Sequence, residues 1–434
     1  MKSGKVKKAV SAALSSVAQL HTLENGLRVV LEPCAAESVA VGVFVASGSR
    51  HETDKTSGIS HFIEHMLFKG TPTRRPIDIT RAIEGRGGNF NAMTGEESTC
   101  YFVHLPNEYL ADAVDILSDM YLRASIPEDE FDREKQVVLE EIKMYADEPD
   151  AVAMENLQRC LFPDSRLGAP VAGTPDSLAP MRPDDLRRYI NSHYRADNTV
   201  VVIVGAFDPK EALDLVASSF AGLKQIQTKG KKATSKDLKP KLGRNVRLKS
   251  PVVEKDVQQT QLALGYRCFG VGDKRKYAAI MMDAILGRGM SSRLFQEVRE
   301  KRALSYDISS RLQFFLDSGM FTVCAGVDPS KAEIAVETVD RELKRICERR
   351  VGAAELRRTK EFITGNYRLS LEKVTTRLFA YGQSMIAFGR IVDPHEQVIG
   401  IRAVTADDIL DVANSILRPS MRSLSRVVPK SNRL

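Results

Sequence analysis

The hydrophobic and polar positions along the chain follow two periods, of two residues and of three to four residues, which predict a mixture of strands and helices. In the first half, alternation and short apolar runs predict strands over residues 28–33, 39–47, 90–94, 98–105 and 199–205. Helical spacing predicts helices over most of residues 57–71 and over residues 77–84, 109–123, 128–146 and 184–193. The first half therefore mixes short strands with helices and ends on a buried strand.

The second half repeats this mixture after a polar, basic stretch from Gln225 to Arg244 that lacks apolar periodicity. Its pattern predicts strands over residues 259–269, 308–314 and 320–324, helices over 276–286 and 293–300, and several long helices beyond. Near its end, each half has a helix with two aspartates, an aliphatic residue and a later asparagine, and a strand-like run follows it. These residues are Asp184, Asp185, Leu186 and Asn191 in the first half, and Asp407, Asp408, Ile409 and Asn414 in the second. We interpret this correspondence as an internal duplication of an α+β unit.

The predicted fold class is α+β. Two homologous α/β-sandwich halves, each a mainly antiparallel sheet packed with helices, are joined by a polar linker. The predicted parts are a flexible basic tail at 1–18, an N-terminal domain at 19–224, a linker at 225–245 and a C-terminal domain at 246–434. A chain of 434 residues fits this division, because it is longer than a typical single core.

The composition is that of an ordinary globular protein, with 43% hydrophobic and 27% charged residues. Since no apolar run approaches the roughly 18 residues of a spanning helix, we expect no membrane span. Much of the net charge of +7 comes from the N-terminal tail and the linker. No nucleic-acid partner is expected, because the basic residues form no module with interleaved aromatic side chains.

The cysteine pattern and the N-terminus indicate a compartment. Six cysteines are scattered without a C-x-x-C pair, which is typical of free thiols in a reducing environment. The first twenty residues lack the continuous apolar segment of a secretory signal. We therefore expect a cytoplasmic protein, with the mitochondrial matrix or the periplasm as alternatives, since the basic N-terminus has no acidic residue before Glu24.

The short apolar helix predicted between Ser57 and Gly70 carries three chemically active side chains, His61, Glu64 and His65. Ser57 is its expected N-cap, and Gly70 is the glycine expected after its end. The two histidines are four residues apart and lie on one helical face, with the glutamate near both. Burial of all three without partners is unfavourable by several kcal/mol. One metal ion would satisfy them together, and H-x-x-E-H is the inverted zinc-peptidase motif.

A third metal ligand has to come from elsewhere, because catalytic zinc takes three protein ligands and keeps a fourth position for water. The helix predicted at 128–146 offers Glu134, Glu140 and Glu141. Glu134 and Glu141 are seven residues apart and share the face of an apolar stripe, while Glu140 points off that face. This spacing favours Glu134 and Glu141 as a ligand and its support, and leaves open which is which.

These segments resemble the pitrilysin-type zinc metallopeptidases and, within that family, the mitochondrial processing peptidase-like branch. The resemblance covers nearly the whole chain after residue 20 and is carried by NGLRVVLEP, GISHFIEHMLFKGT, GGNFNAMTGEESTCYF, EKQVVLEEIKMYADEP and GMSSRLFQEVREKRALSYD. It implies that His61, His65 and Glu141 bind one Zn²⁺ per chain. It also implies that Glu64 is the general base and that Glu134 is a supporting carboxylate without direct contact to the metal.

The resemblance assigns further roles outside the zinc helix. Arg299 and Tyr306 resemble the family's arginine–tyrosine pair, which donates to the charge that develops on the substrate. Each chain of this branch equals half of the longer relatives, so we expect a homodimer in which the pair acts on the partner's zinc. Asn91 and Ala92 are expected to bind an extended peptide as an added strand.

The expected function is that of a zinc-dependent endopeptidase with Glu64 as base, which cleaves extended peptides or presequence-like segments in a closed chamber. The alternative is a noncatalytic scaffold or partner subunit of the same fold. The intact motif favours the enzyme. Presequence specificity is not carried over, because GRGMSSRL is not the long glycine-rich loop of the family's noncatalytic subunit.

Overall fold

The computed structural model describes residues 18–224 and 250–430, so the predicted linker and all but the last residue of the predicted tail lie outside the described residues. Its strands are β1 Gln19–Thr22, β2 Arg28–Pro33, β3 Ser38–Val45, β4 Asn89–Thr94, β5 Thr99–Pro106, β6 Thr199–Gly205, β7 Val252–Lys255, β8 Thr260–Phe269, β9 Ser305–Phe314, β10 Ser318–Val327 and β11 Arg422–Pro429.

Helices connect and cover these strands. They are α1 Ile59–Leu67, α2 Pro76–Glu84, α3 Leu110–Arg123, α4 Glu128–Asp147, α5 Pro149–Leu161, α6 Pro175–Leu178, α7 Pro183–His193, α8 Pro209–Ser219, α9 Lys276–Gly287, α10 Ala332–Glu348, α11 Ala353–Ser370, α12 Val374–Phe388, α13 Pro394–Ala403 and α14 Ala406–Ile416. None of these helices combines the length and the apolar character needed to cross a membrane.

The first sheet contains the strands of the N-terminal half in the order β1-β2-β6-β3-β5-β4. Strands β2 and β6 pair in parallel, and all other neighbours pair antiparallel. The valine-rich β6 is buried along its whole length, as its position inside the sheet requires. Strand β4 forms the edge beyond β5, with Asn91 opposite Phe102 and Ala92 opposite Tyr101.

The second sheet repeats this topology in the order β7-β11-β8-β10-β9. Once the additional edge strand β1 is set aside, both sheets place their strands in the order first, last, second, fourth and third along the chain. In both, the first and last strands are parallel and the remaining pairs are antiparallel. The predicted fold class of two similar α+β halves with mainly antiparallel sheets is confirmed.

The described residues form two compact units, each built on one sheet. The first comprises residues 18–140, 170–224 and 370–394, and the second comprises residues 141–169, 250–369 and 395–430. Each unit includes a helix from the other half of the chain, since α12 packs on β3 and β6, and α5 packs on β8 and β11. The linear division at 19–224 and 246–434 stays a prediction, and the compact units interleave the two halves.

Small residues allow both exchanged helices to approach their sheets closely. On α12, a side chain at Gly382 would collide with the ring of Phe44, because a Cβ atom there would lie 2.3 Å from it. On β8, a Cβ atom at Gly265 would lie 2.9 Å from Leu157 of α5. Such contacts are stabilised by tight packing without voids, so both glycines are needed for each helix to pack on the sheet of the other half.

Element boundaries differ from the predictions where they bear on the candidate site. The helix expected to begin after Ser57 begins at Ile59. The helix predicted over residues 293–300 is π-helical from Phe295 to Glu300. The strand predicted from residue 308 starts at Ser305, so Tyr306 lies within β9.

Candidate metal centre

The helix that carries the two histidines is capped by a carboxylate. Gly58 precedes α1 in the left-handed conformation, with φ +90°, and a Cβ atom there would lie 2.6 Å from the carbonyl of Ala172. The buried carboxylate of Glu52 accepts the backbone N–H groups of Gly58 at 2.8 Å and Ser60 at 2.9 Å. The prediction that Ser57 caps the helix is therefore wrong, because Glu52 supplies the negative charge that a helix N-terminus favours.

Burial of its apolar residues determines which side chains of α1 remain accessible. Its apolar residues are fully buried: Ile59, Phe62, Ile63, Met66 and Leu67. Phe62 packs against Phe131 of α4 with a ring separation of 4.7 Å, and Phe68 lies 5.5 Å from Phe90 of β4. The polar residues of the helix that remain partly exposed are His61, Glu64 and His65.

The structure brings His61, His65 and Glu141 together. One potential ligand atom from each lies within 4.8 Å of the others, and all three residues are partly exposed. Among residues 18–224 and 250–430, no other set of three or more potential metal ligands lies this close together. Two imidazoles and one carboxylate are the donor set of a catalytic zinc site, so these residues fit the ion that the sequence predicted.

Glu134 contacts one member of the group without belonging to it. His65 donates from Nδ1 to Glu134 Oε2 at 3.1 Å, which leaves Nε2 as the ring nitrogen for a metal. Lys69 Nζ lies 2.5 Å from the other oxygen, Oε1, of the same carboxylate. The side chain of Glu134 is only 9% exposed, so both contacts are shielded from water.

Glu64 accepts a hydrogen bond from the edge strand β4. Its Oε2 accepts a hydrogen bond from the hydroxyl of Thr94, the last residue of β4. Burial, with a smaller contribution from the charge of Glu64, raises the pKa of Cys100 and of Tyr101 above their usual values. The hydrogen bond from Thr94 restrains the carboxylate that the family resemblance assigns to proton transfer.

Helix α4 brings Glu134 and Glu141 to the centre through an unusual turn before it. Ile126 has φ +47°, a conformation that β-branched residues rarely adopt, and its side chain is buried. Its carbonyl accepts a hydrogen bond from Arg187 Nη2 at 2.8 Å. Lys135 further fixes the helix, because its ammonium donates to the carbonyls of Ala179 at 2.7 Å and Met181 at 3.1 Å.

Asn91 and Ala92 lie in the middle of the edge strand β4. Asn91 is exposed, and its side-chain Oδ1 accepts the backbone N–H of Ala92 at 2.8 Å. Ala92 is buried, whereas Met93 beside it is 48% exposed. Within the described residues, β4 pairs with β5 alone, so no strand pairs with its other edge.

Arg299 and Tyr306 form a stacked pair in the second compact unit. The guanidinium carbon of Arg299 lies 4.8 Å from the ring centres of both Phe295 and Tyr306. The connection between them contains Ala303 with φ +47°, and Arg299 lies in the π-helical segment. Both features are uncommon and often mark functional sites. Tyr306 is 79% exposed.

The sequence analysis did not assign three residues that position the predicted ones: Glu52, Lys69 and Thr94. Each acts through a contact that depends on the tertiary structure or on an irregular loop. Thr94 is thirty residues from Glu64, and no spacing rule connects a strand end to a helix so far away. The only signal for Lys69 was a cation at the end of a helix, where cations are common.

Two family models match the chain. The model described as Insulinase (Peptidase family M16) matches residues 28–175, which include the His61, His65 and Glu141 group. The model described as Peptidase M16 inactive domain matches residues 180–363, which include Arg299 and Tyr306.

Several known proteins are similar over nearly their full length. An uncharacterized zinc protease of Bacillus subtilis is 34% identical over 413 residues, which cover 95% of this chain and 98% of that protein. An uncharacterized zinc protease of Mycobacterium tuberculosis is 35% identical over 401 residues, which cover 91% of this chain and 90% of that protein. The crystal structure of a protease from Helicobacter pylori matches the fold with a TM-score of 0.88 at 23% identity, over 95% and 100% of the two chains. From these matches we conclude that the chain belongs to peptidase family M16.

Proposed function

We propose that the protein is a zinc-dependent endopeptidase that cleaves extended peptides or presequence-like segments. The observation that carries this proposal is the grouping of His61, His65 and Glu141, with Glu64 on the same helix between the two histidines. Relatives at 34–35% identity are named zinc proteases, which supports the same chemistry.

Each residue of the centre has a distinct role in the proposal. His61, His65 and Glu141 would hold one zinc ion, which when bound lowers the pKa of water and polarises a peptide carbonyl. Glu64 takes the proton of the attacking water and delivers it to the leaving amine. Glu134 orients the His65 ring through its hydrogen bond to Nδ1.

The edge strand β4 is the proposed binding site for the substrate backbone. A peptide that adds to an exposed edge is held in an extended conformation by main-chain hydrogen bonds. Asn91 and Ala92 lie in this strand, and Thr94 at its end contacts Glu64. Binding of this kind selects unfolded or extended segments, because a folded substrate offers no unpaired strand.

The proposal includes a homodimer that encloses the substrate, with Arg299 and Tyr306 of one copy acting at the zinc of the other. The stacked geometry of the pair and the exposed tyrosine ring support this role, since donors to a developing oxyanion need to be held in place and accessible. A chain that carries both the metal group and the pair can form two equivalent sites in a symmetric dimer.

A noncatalytic scaffold of the same fold is the second candidate, because residues 180–363 match a domain described as inactive. Removal and return of the metal distinguishes the two. Treatment with a chelator should abolish cleavage of a fluorogenic basic peptide, and one equivalent of zinc per chain should restore it. Zinc binding without cleavage would favour the scaffold, and cleavage that survives full metal removal would contradict the proposed chemistry.

A further inference from the structure

We infer that Lys69 is a positioning residue of the metal centre, because its ammonium holds Glu134 where that carboxylate orients His65. The inference rests on the proposed function, since it assumes that His65 binds zinc. It adds a chain of contacts from Lys69 through Glu134 to His65, and so extends the centre beyond its ligands.

The carboxylate of Glu134 accepts contacts from two nitrogen donors, one at each of its oxygens. Lys69 Nζ is 2.5 Å from Oε1, and His65 Nδ1 is 3.1 Å from Oε2. A carboxyl group held at one oxygen can rotate about its bond to the side chain. Held at both oxygens it has one orientation, and the line of the hydrogen bond to the His65 ring is then fixed as well.

The charge of Glu134 makes the contact with Lys69 more than a surface ion pair. Exposed ion pairs contribute little to the free energy of folding, because water screens both charges. Here the carboxylate side chain is 9% exposed and that of Lys69 is 25% exposed. A buried carboxylate needs a compensating charge, and a neutral imidazole provides a hydrogen bond without one. Lys69 supplies this charge, so the imidazole of His65 can stay neutral and bind the metal.

The backbone places Lys69 at this point through the turn that ends α1. The N–H of Lys69 donates to the carbonyl of Met66 at 3.1 Å, and Gly70 then takes φ +102°. The carbonyl of Gly70 accepts the N–H of Ser125, at 3.0 Å, in the connection that leads to α4. The segment that bears Lys69 is thereby attached to the connection into the helix that bears Glu134.

Zinc affinity, measured by competition with a chromophoric chelator, tests the inference independently of peptidase activity. We expect Lys69→Met to weaken zinc binding about tenfold, the lower end of the effect of outer contacts in metal sites. Lys69→Arg should stay within about threefold of the wild type, because it keeps the charge. Lys55→Met, which removes an exposed lysine from the turn before α1, is the matched control and should change nothing.

A double-mutant cycle shows whether Lys69 acts through Glu134. In a Glu134→Gln background, Lys69→Met should have no further effect on zinc affinity, because the charge it balances is gone. If Lys69→Met fails to fold, as judged by thermal unfolding of the metal-free protein, Lys69→Gln replaces it. Unchanged affinity in the single variant, or an equal loss in both backgrounds, would overturn the inference alone. A wild type that binds no zinc would overturn the proposed function as well.

Discussion

The hydroxyl of Thr94 donates a hydrogen bond to the carboxylate of Glu64. Thr94 is the last residue of the edge strand β4, and Glu64 lies on α1 between His61 and His65. The proposed general base is therefore held by the same strand that is proposed to bind the substrate backbone. Substrate binding along β4 and the orientation of Glu64 depend on one element.

Replacement of Thr94 tests this contact. Thr94→Val keeps the shape but removes the donor, and a hydrogen bond to a charged group contributes about 1.5–3 kcal/mol. We expect kcat to fall about tenfold or more while KM and zinc content stay the same. Thr94→Ser keeps the hydroxyl and should retain most of the activity. Equal activity of the valine and serine variants would show that the hydrogen bond has no catalytic role.

The third ligand can be tested with two neighbouring glutamates on α4. Glu141→Gln should weaken zinc binding at least about 100-fold, because it removes a donor to the metal itself and outer contacts alone account for up to that much. Glu140→Gln changes the same charge one residue earlier on the helix and should leave affinity within about threefold. Chelator competition measures both. Similar losses in the two variants would contradict the assignment of Glu141.

Mixing two inactive variants tests the proposed action between copies. Glu64→Gln and Arg299→Ala should each be inactive as homodimers. In a mixed dimer with action in trans, one of the two sites has both an intact base and an intact arginine. After random exchange, activity should recover to about one quarter of the wild type. No recovery despite subunit exchange, followed by mass spectrometry of labelled chains, would indicate that the pair does not act in trans.

The buried cysteine thiols should react more slowly with alkylating reagents than the partly exposed ones. Cys100 and Cys268 are each 5% exposed, and burial raises the pKa of both thiols well above the ordinary value. Since the thiolate is the reactive form, neither should be alkylated by iodoacetamide at pH 8 in the folded protein. The partly exposed Cys160 serves as the comparison. Peptide mass spectrometry reports each site, and rapid labelling of Cys100 would contradict the packing of β5.

The sequence could predict the helix with His61, Glu64 and His65 because its signal is local. His61, Glu64 and His65 lie within five residues, and helical geometry alone places them together. Helix spacing also put Glu134 and Glu141 on one face, but the choice between them came from family resemblance. In the structure Glu141 lies with the two histidines and Glu134 bonds to His65 Nδ1, and the roles of ligand and support stay a prediction.

What the sequence could not predict depends on contacts between distant elements. The capping of α1 by Glu52 arises from an irregular loop and replaces the expected Ser57 cap. The parallel pairing of β2 with β6 and of β7 with β11 follows from topology that alternation does not encode. The exchange of α5 and α12 between the two halves of the chain likewise requires the folded cores, in which Gly265 and Gly382 provide room for the helices.

The most direct test of the central claim compares the wild type with Glu64→Gln for zinc content and for cleavage of a fluorogenic basic peptide. The account predicts about one zinc per chain in both proteins, because Glu64 is not a ligand, and cleavage in the wild type only. Equal cleavage by the two proteins, or absence of zinc from the carefully prepared wild type, would contradict the account.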